Sequence, residues 1–248
     1  MVDRELTGKR ALVTGASRGI GAGIALALAE RGADVAITYE RSVERAGEVV
    51  RSVEAKGRRA FAIQADSADP AAVRRSVDEA VSRLGGLDIL VNNAGIARYG
   101  AVEEMSLEDI DALLNVNVRA AVLAAGAAIP HLTEGSRIIS IGSCLAERVP
   151  FPGVTVYSMT KSALLALTRG LARDLGTRGI TVNLVQPGPI DTDMNPADGT
   201  QAEAVRALTA LGRYGTPSDV GATVAFLASP AARFITGSVV TVDAGVNA

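Results

Sequence analysis

The chain has 248 residues, with 25 Lys and Arg against 27 Asp and Glu for a formal net charge of −2, and apolar residues make up 48% of it while aromatic ones make up 3%. The scattered, near-balanced charge excludes a nucleic-acid surface, and an interior built from Ala, Val, Leu and Ile suits parallel strands covered by helices on both faces. A single cysteine, Cys144, excludes an intrachain disulfide framework and fits a reducing compartment.

Short β-branched runs alternate with helical patterns. Arg10–Thr14, Asp34–Tyr39, Ala60–Ala65, Leu87–Asn92, Arg137–Ile141, Ile180–Val185 and Ser238–Asp243 read as seven strands, and the alternation predicts right-handed crossovers and one parallel sheet. Val43–Ala55 and Ala71–Leu84 carry apolar residues at helical spacing, with Pro70 in a first turn. With no repeat and no low-complexity linker, the chain reads as a single α/β domain over residues 1–248. Asp191 to Thr216 breaks the regularity, mixing Pro196, Gly199, Gly212 and Gly215 with helical stretches, and reads as a substrate loop or lid. The charged stretch Met1 to Arg10, followed by an apolar run that Gly15 breaks, is no signal peptide. No apolar run is expected to reach the roughly 18 residues of a membrane span. A cytoplasmic protein is predicted, with no membrane and no nucleic acid among its partners.

In an open parallel sheet, ligands bind beyond the carboxyl ends of the strands, so the residues that follow each strand carry the chemistry. After the first comes Thr14-Gly15-Ala16-Ser17-Arg18-Gly19-Ile20-Gly21, opening into the apolar helix Ile24 to Ala29. Glycine lacks Cβ, which allows the tight turn, the close approach of a pyrophosphate and the close packing of helix on strand. The free N–H groups at the helix start then face the anion. The spacing, Gly-x-x-x-Gly-x-Gly, departs from the commoner Gly-x-Gly-x-x-Gly fingerprint. Asp66 follows the third strand, Asn92-Asn93-Ala94-Gly95 the fourth, Gly142-Ser143 the fifth and Gln186-Pro187-Gly188-Pro189 the sixth. One continuous cleft is expected along that edge.

Tyr157 and Lys161 stand at i and i+4 in a helical stretch, Tyr157 to Leu175, and share a face. A phenol with an ordinary pKa near 10 exchanges protons poorly at neutral pH, and a nearby ammonium lowers that value. Ser143, delivered to the sheet edge by the fifth strand, places a hydroxyl where a substrate carbonyl oxygen would gather charge.

These motifs, in order and in spacing, resemble the short-chain dehydrogenase/reductase family over essentially the whole chain. The resemblance implies a doubly wound, Rossmann-type fold of seven parallel strands. It makes Tyr157 the proton donor to a carbonyl, Ser143 the group that polarises it, Lys161 a ligand of the nicotinamide ribose, and Asn117 of Asn115-Val116-Asn117-Val118 the holder of a proton-relaying water. It gives the cofactor Gly15, Ser17, Arg18, Gly19, Ile20, Gly21, Asp66, Ser67, Asn93, Ala94, Gly95, Pro187, Gly188, Ile190 and Thr192, besides Tyr157 and Lys161. For Asn93 and Asn183 a structural tie between loops is the preferred reading. The resemblance also implies a homotetramer or homodimer, paired through helices around Asp109–Ala128 and Tyr157–Leu175.

Aligned with that family, Tyr39 stands at the end of the second strand where an acid would bind the ribose 2′-hydroxyl of NAD. With Arg18, Arg41 and Ser42 nearby, two guanidiniums and a hydroxyl suit a 2′-phosphate, so NADP is expected ahead of NAD, with Glu40 as the counter-indication. A reaction between a small carbonyl compound and its secondary alcohol follows. The stretches Asp66 to Asp69 and Val185 to Pro196 also resemble a bacterial branch of the family associated with cyclic-di-GMP binding and biofilm dispersal, which sets a nucleotide-binding regulatory role as the alternative. His131, the only histidine, reads as a helix-end or surface residue and makes no metal site of familiar kind. Cys144 reads as packing, and Glu147-Arg148 stays open between substrate and solvent.

Overall fold

The computed structural model of the chain describes residues 4–248; the first three residues of the charged stretch Met1 to Arg10 lie outside them. The strands are β1 (Arg10–Val13), β2 (Asp34–Tyr39), β3 (Ala60–Gln64), β4 (Ile89–Asn92), β5 (Arg137–Ile141), β6 (Thr181–Pro187) and β7 (Val239–Val242). They form one parallel sheet in the order β3-β2-β1-β4-β5-β6-β7. The chain winds outward from β1 to β3, then crosses back past β1 to lay down β4 to β7. That reversal opens a crevice between the carboxyl ends of β1 and β4, the topological switch point of a Rossmann-type fold.

Side chains alternate along each strand and so build a core on either face. Ala11, Val13, Val35, Ile37, Val91, Ile139 and Val185 point to one face, which is covered by α1 (Gly19–Glu30), α2 (Val43–Glu54) and, farther along the chain, Pro217–Ala228. Leu12, Ala36, Leu90, Ile138 and Val182 point to the other, beneath α3 (Pro70–Leu84) and later helices of the chain. Those are α5 (Ala120–Ala128) and α6 (Thr155–Leu175); α4 (Leu107–Leu114) precedes them, α7 (Ala202–Ala207) follows, and Pro217–Ala228 on the first face is α8.

Three departures from the sequence expectation have physical causes. β6 runs two residues past Val185, because Gln186 and Pro187 still pair with Thr241 and Val242 of β7. The helix expected over Asp109–Ala128 is interrupted between α4 and α5 by a π turn, Asn115–Arg119, a widening that appears mostly at functional sites. Finally, the continuous helical run Leu107–His131 is long and apolar enough to cross a membrane by length and composition, with a stretch of 18 residues at a mean hydropathy of 1.6. The expectation that no run would reach that length fails because Asn115, Asn117 and Arg119 interrupt the pattern to the eye without lowering the average enough. In the fold this run lies on the sheet, with Ala120, Ala121, Ala124, Ala125 and Ala128 buried.

The segment 191–216 is tied at its base. Asp191 N donates to Gly215 O (2.9 Å) and Gly215 N to Pro189 O (2.9 Å), while the Asp191 carboxylate accepts from Ala197 N at 2.9 Å. Thr216 and Asp219 then form a reciprocal capping box that starts α8.

α1 and α8 approach through glycines: a Cβ on Gly23 would stand 2.5 Å from Pro217 O, and one on Gly221 would stand 2.6 Å from Gly23 O. Both obstacles are backbone and have little room to yield. Gly221→Ala is therefore expected to destabilise the protein by about 1–3 kcal/mol through overpacking. Thermal unfolding should show a fall in Tm of several degrees, and an unchanged Tm would mean that the two helices can part at no cost.

Candidate active site

The glycine turn is pinned on both sides. Gly15 N donates to Thr38 Oγ1 (2.9 Å) on β2. Thr14 Oγ1 accepts from Asn93 N and Ala94 N (3.0 Å each) beyond β4, and Asn93 Nδ2 returns hydrogen bonds to Thr14 O (2.8 Å) and Gly15 O (3.1 Å). Asn93 is thus a tie between the two strand ends. Gly15 has φ +63°, and a Cβ there would stand 2.8 Å from Ala94 Cα, so the turn needs glycine for conformation and for space. Arg18 precedes α1 without a side-chain cap, which leaves the first N–H groups of α1, at Gly19, Ile20 and Gly21, open to an anion. Ser17 and Ile20 are half-buried beside them.

Lys161 is buried, and its Nζ donates to Ile141 O at 3.1 Å. It stands 6.0 Å from the centroid of the Tyr157 ring, one helical turn away on α6. Ser143, buried at the end of β5, caps a short 3-10 turn by accepting from Leu145 N at 3.2 Å. Asn117 lies in the π turn with its amide committed: Oδ1 accepts from Ile96 N (2.9 Å), and Nδ2 donates to Ile96 O (3.0 Å) and Thr160 Oγ1 (3.1 Å). Thr160 Oγ1 in turn donates to Tyr157 O at 2.7 Å. A Cβ on Gly95 would stand 3.2 Å from Lys161 Nζ and 3.3 Å from Asn117 Oδ1, so Gly95, Asn117 and Lys161 meet at one place. Sequence reasoning missed Thr160, which carries no motif signal, and Tyr99, whose ring meets that of Tyr157 edge-on at 6.1 Å.

The remaining candidates spread along the same sheet edge. Tyr39 ends β2, Arg41 pairs with its neighbour Glu40 (2.7 Å) and is largely in solvent, and Ser42 precedes α2. Asp66 accepts from Ala68 N at 2.8 Å. The cap of α3 is Asp69, which accepts from Ala71 N. Ser67 lines a cavity with Thr14, Thr38, Asn92 and Ala94. Beyond β6, a Cβ on Gly188 would stand 2.5 Å from Asp243 Cα, Ile190 is buried, and Thr192 Cγ2 lies 3.4 Å from where a Cβ on Gly19 would be. The segment after β6 therefore lies against the glycine turn. Arg45, which the sequence reading passed over, joins Arg18 on the carboxylate of Asp193.

A family model described as enoyl-(acyl carrier protein) reductase matches residues 15–247. The chain belongs to the short-chain dehydrogenase/reductase family of oxidoreductases. A short-chain dehydrogenase from Burkholderia cenocepacia J2315, solved in complex with NADP, is 61% identical with a TM-score of 0.97, over 98% of this chain and 100% of that one. The cyclic-di-GMP-binding biofilm dispersal mediator protein of Escherichia coli K12 is 44% identical over 98% of both chains. The 3-oxoacyl-[acyl-carrier-protein] reductase FabG of Staphylococcus aureus Mu50 is 42% identical over 96% of this chain and 98% of that one.

Electrostatics in this dehydrogenase/reductase site differ from the sequence expectation at one point. Burial raises the Tyr157 phenol well above its ordinary value, with the Ser143 hydroxyl pulling it part of the way back. The lowering expected from Lys161 does not prevail, since burial also weakens the hold of Lys161 on its own proton and brings it down to about 8. Burial likewise pushes the Cys144 thiol up to about 11, as suits a packing residue. Arg148 is used on Val246 O (2.6 Å), Asn183 ties Ile235 O (2.8 Å) to Ser238 N (3.2 Å), and His131 is exposed in a 3-10 turn.

The Lys161 shift has a sign that can be measured. Between about 8 and the ordinary 10.5 the unfolded chain keeps a proton that the folded chain has released, so stability rises with pH across that window. Urea midpoints should climb from about pH 8 to about pH 10 in the wild type and climb less in Lys161→Met. Equal slopes in the two proteins would refute the shift.

Proposed function

We propose that the chain is an NADP-dependent oxidoreductase that interconverts a small carbonyl compound and its secondary alcohol. The observation that carries this reading is the placement of Ser143, Tyr157 and Lys161 around one spot at the carboxyl edge of the sheet, beside the open amides of the glycine turn. The dinucleotide, when bound, supplies or accepts the hydride at the carbonyl carbon. Ser143 donates a hydrogen bond to the carbonyl oxygen as charge builds there, and Tyr157 delivers its phenolic proton to that oxygen, or removes it in the reverse direction. Lys161, held by Ile141 O, sets the field at the phenol and reaches the nicotinamide ribose. Asn117 fixes the loop at Ile96 against α6 and holds the relay to Lys161.

The residues present fit the cofactor. The cradle at Gly15 and Gly21 has no room for a Cβ, no side chain caps α1, and Tyr39 rather than an acid ends β2. The NADP bound to the Burkholderia relative supports the same choice, with Arg18, Arg41 and Ser42 around the 2′-phosphate and Asp66 and Ser67 at the adenine. The chain acts as one domain in the cytoplasm, with 191–216 as the lid. The name of the E. coli relative supports a second reading, the binding of a cyclic dinucleotide in a regulatory role.

Tyr157→Phe should lower carbonyl-dependent NADPH oxidation by roughly 10²–10⁴-fold while NADPH binding, followed by fluorescence, changes little. Turnover that survives the substitution would remove Tyr157 from the reaction, and a preference for NADH would overturn the cofactor assignment alone. Cyclic-di-GMP binding without turnover on a panel of ketones and aldehydes would favour the second reading.

Self-association through α4, α5 and α6 is the proposed assembly, supported by the exposed apolar side chains Leu107, Leu114, Val122 and Met159 on these neighbouring helices. Val122→Arg should lower the mass measured by light scattering from that of a tetramer or dimer to that of a smaller species. An unchanged mass would place the interface elsewhere.

A further inference from the structure

Three elements remote in sequence converge on one oxygen. Asp193 Oδ2, in the segment after β6, accepts from Arg18 Nη1 at 3.0 Å and from Arg45 Nη1. Arg18 leads into α1 at the glycine turn and Arg45 lies in the first turn of α2, just beyond the end of β2. All three side chains are half or more in solvent, and the two arginines hold the carboxyl below its ordinary range.

We propose that Asp193 is a latch: its carboxylate stands in for the phosphate monoester of the cofactor between Arg18 and Arg45, and the 2′-phosphate releases the loop by displacing it. The inference rests on the NADP reading above and adds Arg45 to the residues that read the phosphate. The chemistry favours exchange. A carboxylate carries one charge, and here a single oxygen serves two guanidiniums, whereas a phosphate monoester carries nearly two charges and three acceptor oxygens. The position fits as well, because the adenosine ribose of a dinucleotide lies at the end of β2 in this fold. Thr192, next to Asp193, lies over Gly19, so the latch holds the segment after β6 against the glycine turn. An unphosphorylated dinucleotide has nothing to offer the arginines and leaves the latch shut.

The test uses cofactor fragments and needs no turnover. By calorimetry, Asp193→Asn should bind 2′,5′-ADP about three- to tenfold more tightly than the wild type, the range that two exposed ion pairs supply, while 5′-AMP binds both alike. Arg45→Ala should weaken 2′,5′-ADP binding in either background. Hydrogen exchange at residues 192–196 should quicken when 2′,5′-ADP saturates the wild type, and should be quick already in Asp193→Asn. Equal 2′,5′-ADP affinities in wild type and Asp193→Asn would overturn the latch while leaving the NADP reading intact. An equal gain for 5′-AMP would also overturn it, since the phosphate would not be what Asp193 excludes. Failure of 2′,5′-ADP to bind any variant would bring down the latch and the NADP reading together.

Discussion

The crossing of hydrogen bonds between the ends of β1 and β4 is the constraint on which the rest of the site depends. Parallel strands that part to opposite sides of a sheet leave a gap at their carboxyl ends, and polar backbone in such a gap must find partners. Here Thr14 and Asn93 satisfy one another's strand ends through four hydrogen bonds, two accepted by the hydroxyl and two donated by the amide. Thr38 takes up the next amide along. The turn is therefore held by side chains from behind, and its front, where the amides of α1 emerge, is left for a ligand. Losing the Asn93 amide would leave the half-buried carbonyls of Thr14 and Gly15 without that donor, at the low end of about 1–3 kcal/mol for each group left unpaired.

The same economy of partners shapes the other half of the cleft. Lys161 is buried with a single protein acceptor, Ile141 O, and an ammonium in such surroundings is costly to keep charged. That cost appears as the lowered pKa. The neighbouring phenol is pushed the other way for the same reason, so burial makes both groups resist ionisation. A lysine brought down to about 8 still carries its charge at neutral pH but gives up a proton more readily than one in water, which suits a group placed to exchange protons beside a ligand. The asparagine and threonine behind them, Asn117 and Thr160, connect the Ile96 loop to the Tyr157 carbonyl. The π turn at Asn115–Arg119 is what brings Asn117 into that line.

Most of the fold was legible in the chain because it is carried by local patterns. Seven β-branched runs, four of them followed directly by Gly, Asn or Asp at residues 15, 66, 93 and 142, fix the strands and the edge at which polar groups collect. Strand ends shifted by a residue or two where pairing with a neighbour, as at Gln186 and Pro187 with β7, extends what composition alone would stop. The candidate site was legible to the extent that its residues sit in short motifs. Arg45 and Asp193 escaped because nothing local marks them: they are 148 residues apart in sequence, and each is an unremarkable surface charge until the fold brings them together. Thr160 escaped because a buried threonine on a helix reads as packing. The protonation of Tyr157 was misjudged because spacing reports that a lysine is near, while burial, which decides the balance here, is a property of the whole fold.

Exposed charge at the glycine turn and burial at the Tyr157 phenol and Lys161 are two sides of one arrangement. The turn into α1 presents uncapped amides and the guanidinium of Arg18, all in partial contact with water, where anions bind with modest strength and exchange freely. Lys161 and Ser143 lie inside, where every hydrogen bond counts for more and an unmatched charge is expensive. A ligand with its anionic groups at one end and an uncharged carbonyl at the other meets each region with the chemistry it favours. The segment after β6 spans the two: Ile190 is buried, Thr192 lies on the glycine turn, and Asp193 reaches the arginines. A change of partner at the exposed end of that segment is thereby transmitted along a few residues to the mouth of the buried end, and the base pairing at Asp191 and Gly215 confines the movement to the residues between them.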